Sequence, residues 1–190
     1  MAIPSLLLYP GAGSDREHSS LLEIEARLGR GAHIDRHDFP YRKQGRRAPD
    51  RAPKLMDSIR QDLAGIARRR GPVVLGGRSM GGRMASMVAA DVDEHGPVAR
   101  LAGLVLIAYP LHPPGKPENL RVEHFGAIEV PCLFISGTRD PFGTPDEFAQ
   151  WTPTINAPVE HVWVDGGRHD LRGADDLIAD QVAGFVAELS

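Results

Sequence analysis

Six short runs rich in Val, Ile and Leu alternate with longer segments whose apolar residues recur at helical spacing. This alternation narrows the possible folds more than any other feature. The runs are Ser5 to Tyr9, Ala32 to Asp35, Val73 to Gly76, Leu104 to Ile107, Cys132 to Ser136 and Glu160 to Val164. Between them Leu21, Ile24 and Leu28 share one helical face, as do Leu55, Ile59, Leu63 and Ile66, then Met80, Met84, Met87 and Val88, and finally Ile178, Val182, Phe185 and Leu189. Strands that are apolar almost throughout, joined by helical crossovers, predict a parallel sheet covered on both sides. The expected fold is a doubly wound α/β domain, with a mainly parallel six-stranded sheet and helices on both faces. A chain of 190 residues, 42% of them hydrophobic, suits one such domain over 1–190.

In sheets of this kind ligands bind beyond the carboxyl ends of the strands. The turns leaving those ends read "YPGAGSD", "HDFPYRKQGRR", "GGRSMGG", "YPLHPPGKP", "GTRDPFG" and "DGGRHD", and most of the unusual chemistry of the sequence lies in them. Gly77, Ser79 and Gly81 form a GxSxG pattern between a strand and a Met-striped helix. A sharp strand-to-helix turn strains its central residue and demands neighbours without side chains two positions away. The helix that follows offers free N–H groups beside the Ser79 hydroxyl.

A serine nucleophile needs a base and the base needs an orienting carboxylate. His169 follows the last strand behind two glycines, and Asp140 leaves the fifth. Asp170, adjacent to His169, and Asp165, expected to lie still in the strand, rank below Asp140. An oxyanion hole is expected from the Met80 N–H and from the loop "PGAGS", with Ala12 as the leading donor. The basic turn with Arg46 and Arg47, and the Pro-rich loop with His112 and Lys116, are candidates for lining a substrate site, against the alternative of solvated surface loops.

With strands, elbow, acid and histidine in the order Ser79, Asp140, His169, the sequence resembles the α/β-hydrolase superfamily over nearly its full length. The stretches "GGRSMGGRMAS", "YPLHPPGKPENL" and "GTRDPFG" are similar to its small, lidless branch, which includes dienelactone hydrolase and the hydrolase-like subunit of a nonspecific-lethal complex. The resemblance implies a minimal fold without a lid domain, a catalytic Ser79, Asp140 and His169, and no metal or organic cofactor. The first run corresponds to the family's third strand. Pro10 stands where many relatives carry a histidine of the oxyanion loop, which leaves the second donor open.

Other chemistries fit less well. "GAGSDR" nearly matches a dinucleotide fingerprint, but Arg16 replaces the glycine that permits close helix packing. "GRSMGGRM" lacks the lysine and hydroxyl residue of a phosphate loop. A formal net charge of -3 argues against nucleic acid as a partner, and one cysteine, Cys132, cannot form a disulfide framework. "MAIPSLLLYP" is a poor leader, and the longest apolar run, "LAGLVLIAYPL", is too short to span a bilayer, so a cytoplasmic protein without membrane contact is expected. The expected activity is hydrolysis of an ester or thioester of a small acyl substrate through an acyl-enzyme on Ser79. The alternative is a non-catalytic scaffold on the same fold. The sequence sets no oligomeric state.

Overall fold

The computed structural model describes residues 4–189, so Met1 to Ile3, the start of the stretch read as a poor leader, lie outside it. Its strands are β1 (Ser5–Tyr9), β2 (Ile34–Arg36), β3 (Val73–Arg78), β4 (Leu101–Ile107), β5 (Cys132–Gly137) and β6 (Val159–Val164). The helices are α1 (Ser19–Leu28), α2 (Pro40–Lys43), α3 (Ala52–Arg70), α4 (Met80–Ala89), α5 (Pro145–Trp151) and α6 (Asp175–Glu188). All six strands join one sheet in the order β2-β1-β3-β4-β5-β6, and every pairing is parallel.

The period of two along each strand explains the apolar runs. On β1, Leu7 and Tyr9 face a core shared with α3 and α4, while Leu6 and Leu8 face another shared with α1 and α6. Leu75 and Val74 divide β3 in the same way, as Phe134 and Ile135 divide β5. Because both faces are covered, a central strand has no polar side to show. Helix α4 inserts Met84, Ala85 and Val88 into the first core, with Met80 and Met87 partly buried against it.

The chain winds outward from β1 to β2, crosses back through α3, and then winds the other way from β3 to β6. The order therefore reverses between β1 and β3, and the crevice beyond their carboxyl ends is the expected ligand position. Between Ile107 and Cys132 the described chain forms a loop with one helical turn at Phe125–Ala127, and no helical cap is inserted there.

Several details depart from the sequence reading. β2 is shorter and later than expected, because Gly29–Gly31 makes a tight turn and only Ile34 in the strand is apolar. Helix α5 arises from a capping box: Thr144 accepts from the Glu147 amide while Glu147 reaches back to the Thr144 amide, and Pro145 pre-sets the first turn. Asp165 lies just past β6 rather than within it. Cys132 is buried, as expected, and burial pushes its thiol up to about 12. Among the described residues no helix is long and apolar enough to cross a membrane.

The connection from β4 to β5 is pinned to α4 by His124, whose Nε2 lies 2.7 Å from Ser86 Oγ. The Ser86 hydroxyl donates to the Arg83 carbonyl, so it accepts from His124. Burial, with a smaller contribution from the Arg83 charge, pushes His124 down to about 4, and it stays neutral at pH 7.

Two predictions follow from this packing. A Cβ on Gly81 would lie 2.7 Å from the Pro10 carbonyl oxygen, whereas one on Gly65 in α3 would meet nothing. Gly81→Ala should destabilise the protein by about 3 kcal/mol and Gly65→Ala should stabilise it by roughly 0.5–1 kcal/mol in urea titrations; equal effects would contradict the packing described. The unfolded chain protonates His124 near 6.5 and the folded one only near 4, so its stabilising contribution is complete above the higher value and disappears as pH falls through the window between them. The loss of stability between about pH 7 and about pH 4.5 should be smaller in His124→Gln than in the wild type.

Candidate active site

Ser79 follows β3 at the reversal of strand order and takes φ 47° and ψ −112°, a left-handed conformation that a side chain adopts only under constraint. Its amide donates to the Ile107 carbonyl at 2.8 Å, which ties the turn to β4. The glycines of the pattern do what the sequence required. A Cβ on either Gly77 or Gly81 would collide with the Tyr9 carbonyl, so only glycine lets the end of β1 approach the turn. Helix α4 begins at Met80, and its first amide groups have no carbonyl within the helix.

The other two members arrive from neighbouring strand ends. Asp140 follows β5, is 3% exposed, and accepts from the Phe142 amide at 2.9 Å. His169 follows β6, with Nδ1 2.8 Å from Asp140 Oδ2 and Nε2 2.8 Å from Ser79 Oγ. A carboxylate only accepts, so Nδ1 carries the proton and Nε2 is left to accept from the serine hydroxyl. The two loops are joined through their backbones: the Arg139 amide donates to the Gly167 carbonyl and the Thr138 amide to the Val164 carbonyl. Asp165 and Asp170 bind elsewhere, Asp165 to the Thr138 hydroxyl and Asp170 to the Arg172 amide.

Three neighbours were not read from the sequence. Arg78, immediately before the serine, is 5% exposed, and its Nη2 donates to the carbonyls of His169 at 3.1 Å and Asp170 at 3.0 Å. Burial lowers its pKa, opposed by Asp175, Asp170 and Asp140. A charged residue ending an otherwise apolar strand, "VVLGGR", was the available signal. Phe142 stacks its ring on His169, centroids 3.9 Å apart. Tyr41 is buried and its hydroxyl donates to the Ala12 carbonyl at 2.9 Å, which fixes the loop after β1. That loop abuts the elbow, because a Cβ on Gly11 would lie 3.5 Å from Ser79 Cβ.

Of the four candidate substrate-lining side chains, Arg46 and His112 have partners of their own. Arg46 is held by Asp50 at 2.8 Å and by Gln44, and Asp50 also pairs with Lys54. His112 is buried, with Nδ1 2.8 Å from the Pro113 carbonyl of its own loop and Nε2 3.1 Å from Glu147 of α5. Arg47 and Lys116 are exposed. Among the described residues no group of three His, Cys, Asp or Glu side chains is placed to hold a metal ion.

A family model described as an alpha/beta hydrolase domain matches residues 3–181. Among solved structures, Est1E from Butyrivibrio proteoclasticus superimposes with a TM-score of 0.75 at 14% identity, covering 98% of this chain and 88% of its own. The esterase domain of a Rhodothermus marinus protein gives 0.72 at 12% identity, with 99% and 88% covered. An alpha-beta serine hydrolase homologue from Coxiella burnetii gives 0.71 at 16% identity, with 97% and 84% covered. At such identities the likeness is one of fold.

Arg78→Met should release the carbonyls of His169 and Asp170 and speed hydrogen exchange at the amides of residues 168–171, with Arg78→Lys recovering part of the protection. Unchanged exchange in the Met variant would show that the guanidinium does not hold this loop.

Proposed function

Because this chain belongs to the alpha/beta hydrolase family, we propose that it is a serine hydrolase that cleaves an ester or thioester through an acyl-enzyme on Ser79. The observation that carries this reading is the hydrogen-bonded series from Ser79 Oγ through His169 to the buried Asp140. Nε2 of His169 takes the hydroxyl proton as Ser79 Oγ attacks the acyl carbonyl. Asp140 keeps the imidazole in the tautomer that leaves Nε2 free, and its charge offsets the imidazolium that forms.

The tetrahedral oxyanion is held by the Met80 N–H at the start of α4 and by the Ala12 N–H, the latter from a turn that Tyr41 steadies. Collapse breaks the bond to the leaving alkoxide or thiolate, which takes its proton from His169. A water then loses a proton to the same nitrogen and attacks the acyl-enzyme, and collapse releases the acid as His169 returns that proton to Ser79 Oγ. With no helical cap between β4 and β5, the site suits a small ester or thioester, or an acyl group exposed on something larger. Phe142 covers one face of the imidazole, so the acyl group approaches from another side.

The wild-type protein should hydrolyse p-nitrophenyl acetate and label with a fluorophosphonate, and Ser79→Ala should do neither. Asp140→Asn should lower kcat by about 10⁴-fold with the fold intact. A non-catalytic scaffold would give no turnover and no labelling in folded wild-type protein.

A further inference from the structure

Arg83 and Arg121 are both half-buried, and among the described residues neither has a carboxylate within ion-pair distance. Elsewhere the half-buried arginines Arg36, Arg42 and Arg60 are each matched to acids, the buried Arg78 is held by the His169 and Asp170 carbonyls, and unpaired ones such as Arg139 and Arg168 are exposed to water. Arg83 and Arg121 lie within electrostatic reach of each other, and the Nε of Arg83 is buried with no hydrogen-bond partner. Two like charges brought together at a partly desolvated site are unfavourable unless an anion joins them.

Their placement relates them to the serine. The Arg83 amide donates to the Ser79 carbonyl at 2.9 Å, so Arg83 sits one turn along α4, about 6 Å of helix rise from the nucleophile. The Arg83 side chain lies within electrostatic reach of Arg121 and of Tyr109, just past the carboxyl end of β4 that neighbours the strand carrying Ser79. Arg121 is held against the carboxyl end of β4, its amide donating to Leu111 and its carbonyl accepting from the Tyr109 hydroxyl. His124, beside Arg83, is neutral and committed to Ser86, and the exposed Glu123 pairs with neither guanidinium.

We infer that Arg83 and Arg121 form an anion subsite beside Ser79 that selects esters carrying a carboxylate or phosphate about one helical turn from the reacting carbonyl. Two guanidinium forks suit either oxyanion, since each offers parallel N–H donors at fixed geometry. The inference rests on Ser79 being the nucleophile and names the class of substrate it attacks.

The test uses three acetate esters of matched shape: 4-acetoxybenzoate, 4-acetoxyphenyl phosphate and the neutral methyl 4-acetoxybenzoate. Their binding to Ser79→Ala protein is measured by titration calorimetry. At least one anionic ester should bind about tenfold or more tightly than the neutral one, and whether the carboxylate or the phosphate binds best identifies the anion. That preference should be lost in Ser79→Ala/Arg83→Gln and in Ser79→Ala/Arg121→Gln. It should persist in Ser79→Ala/Arg27→Gln, which removes the same charge from α1 on the other face of the sheet.

Binding of the neutral ester as tight as that of both anionic ones, or an anion preference that survives both arginine substitutions, overturns the inference. Turnover of any of these esters by Ser79→Ala would instead overturn the serine assignment, while the arginine comparison would still decide the subsite.

Discussion

The end of β1 lies against the turn after β3, and the site is organised around that contact. The Tyr9 carbonyl occupies space that a Cβ on Gly77 or Gly81 would fill, so the approach is possible only where side chains are missing. The contact lies where the order of the strands reverses, and it presses the loop bearing Ala12 toward the serine. Holding Ser79 at a positive φ costs on the order of 1–3 kcal/mol. The surrounding strands, with Leu6, Leu7, Val74 and Leu75 fully buried, over-determine the turn and keep it in place.

Around this fixed point the polar groups are coupled in series. His169 is oriented from one side by Asp140 and from behind by Arg78, through the two carbonyls that the guanidinium holds. Arg78 is the residue before Ser79 in the chain, so the strand that carries Ser79 also carries the anchor of the His169 loop. Leu171, two residues beyond His169, takes φ 48° and is 1% exposed, which locks the far side of the same loop into the second core. The histidine is thus held by charge, hydrogen bonding and packing together.

The fold and the three central side chains were legible because they depend on local rules. Apolar runs report burial on both faces, GxSxG reports a turn with no room for side chains, and the positions of Asp140 and His169 after strands place them on one edge. Arg78, Phe142 and Tyr41 were not legible, because their partners are 91, 27 and 29 residues away and nothing local announces the pairing. The partners of His112 and Arg46 were not legible either. A polar residue on the active edge looks available for a ligand until its own partner is known, and here Glu147 and Asp50 are those partners. Helix α5 did have a local signal, the Thr144 to Glu147 box, but its seven residues are too few to show a period.

The burial of Cys132 has a consequence for redox chemistry. A thiol pushed up to about 12 and shielded within β5 presents almost no thiolate to peroxide or to alkylating agents. The thioether of Met80 is less enclosed and belongs to the residue next to Ser79. Peroxide therefore reaches the half-buried Met80 and Met87 before the sulfur inside the sheet. Conversion to the sulfoxide would place a polar, chiral group next to Ser79, at the margin of the core that Met80 packs against.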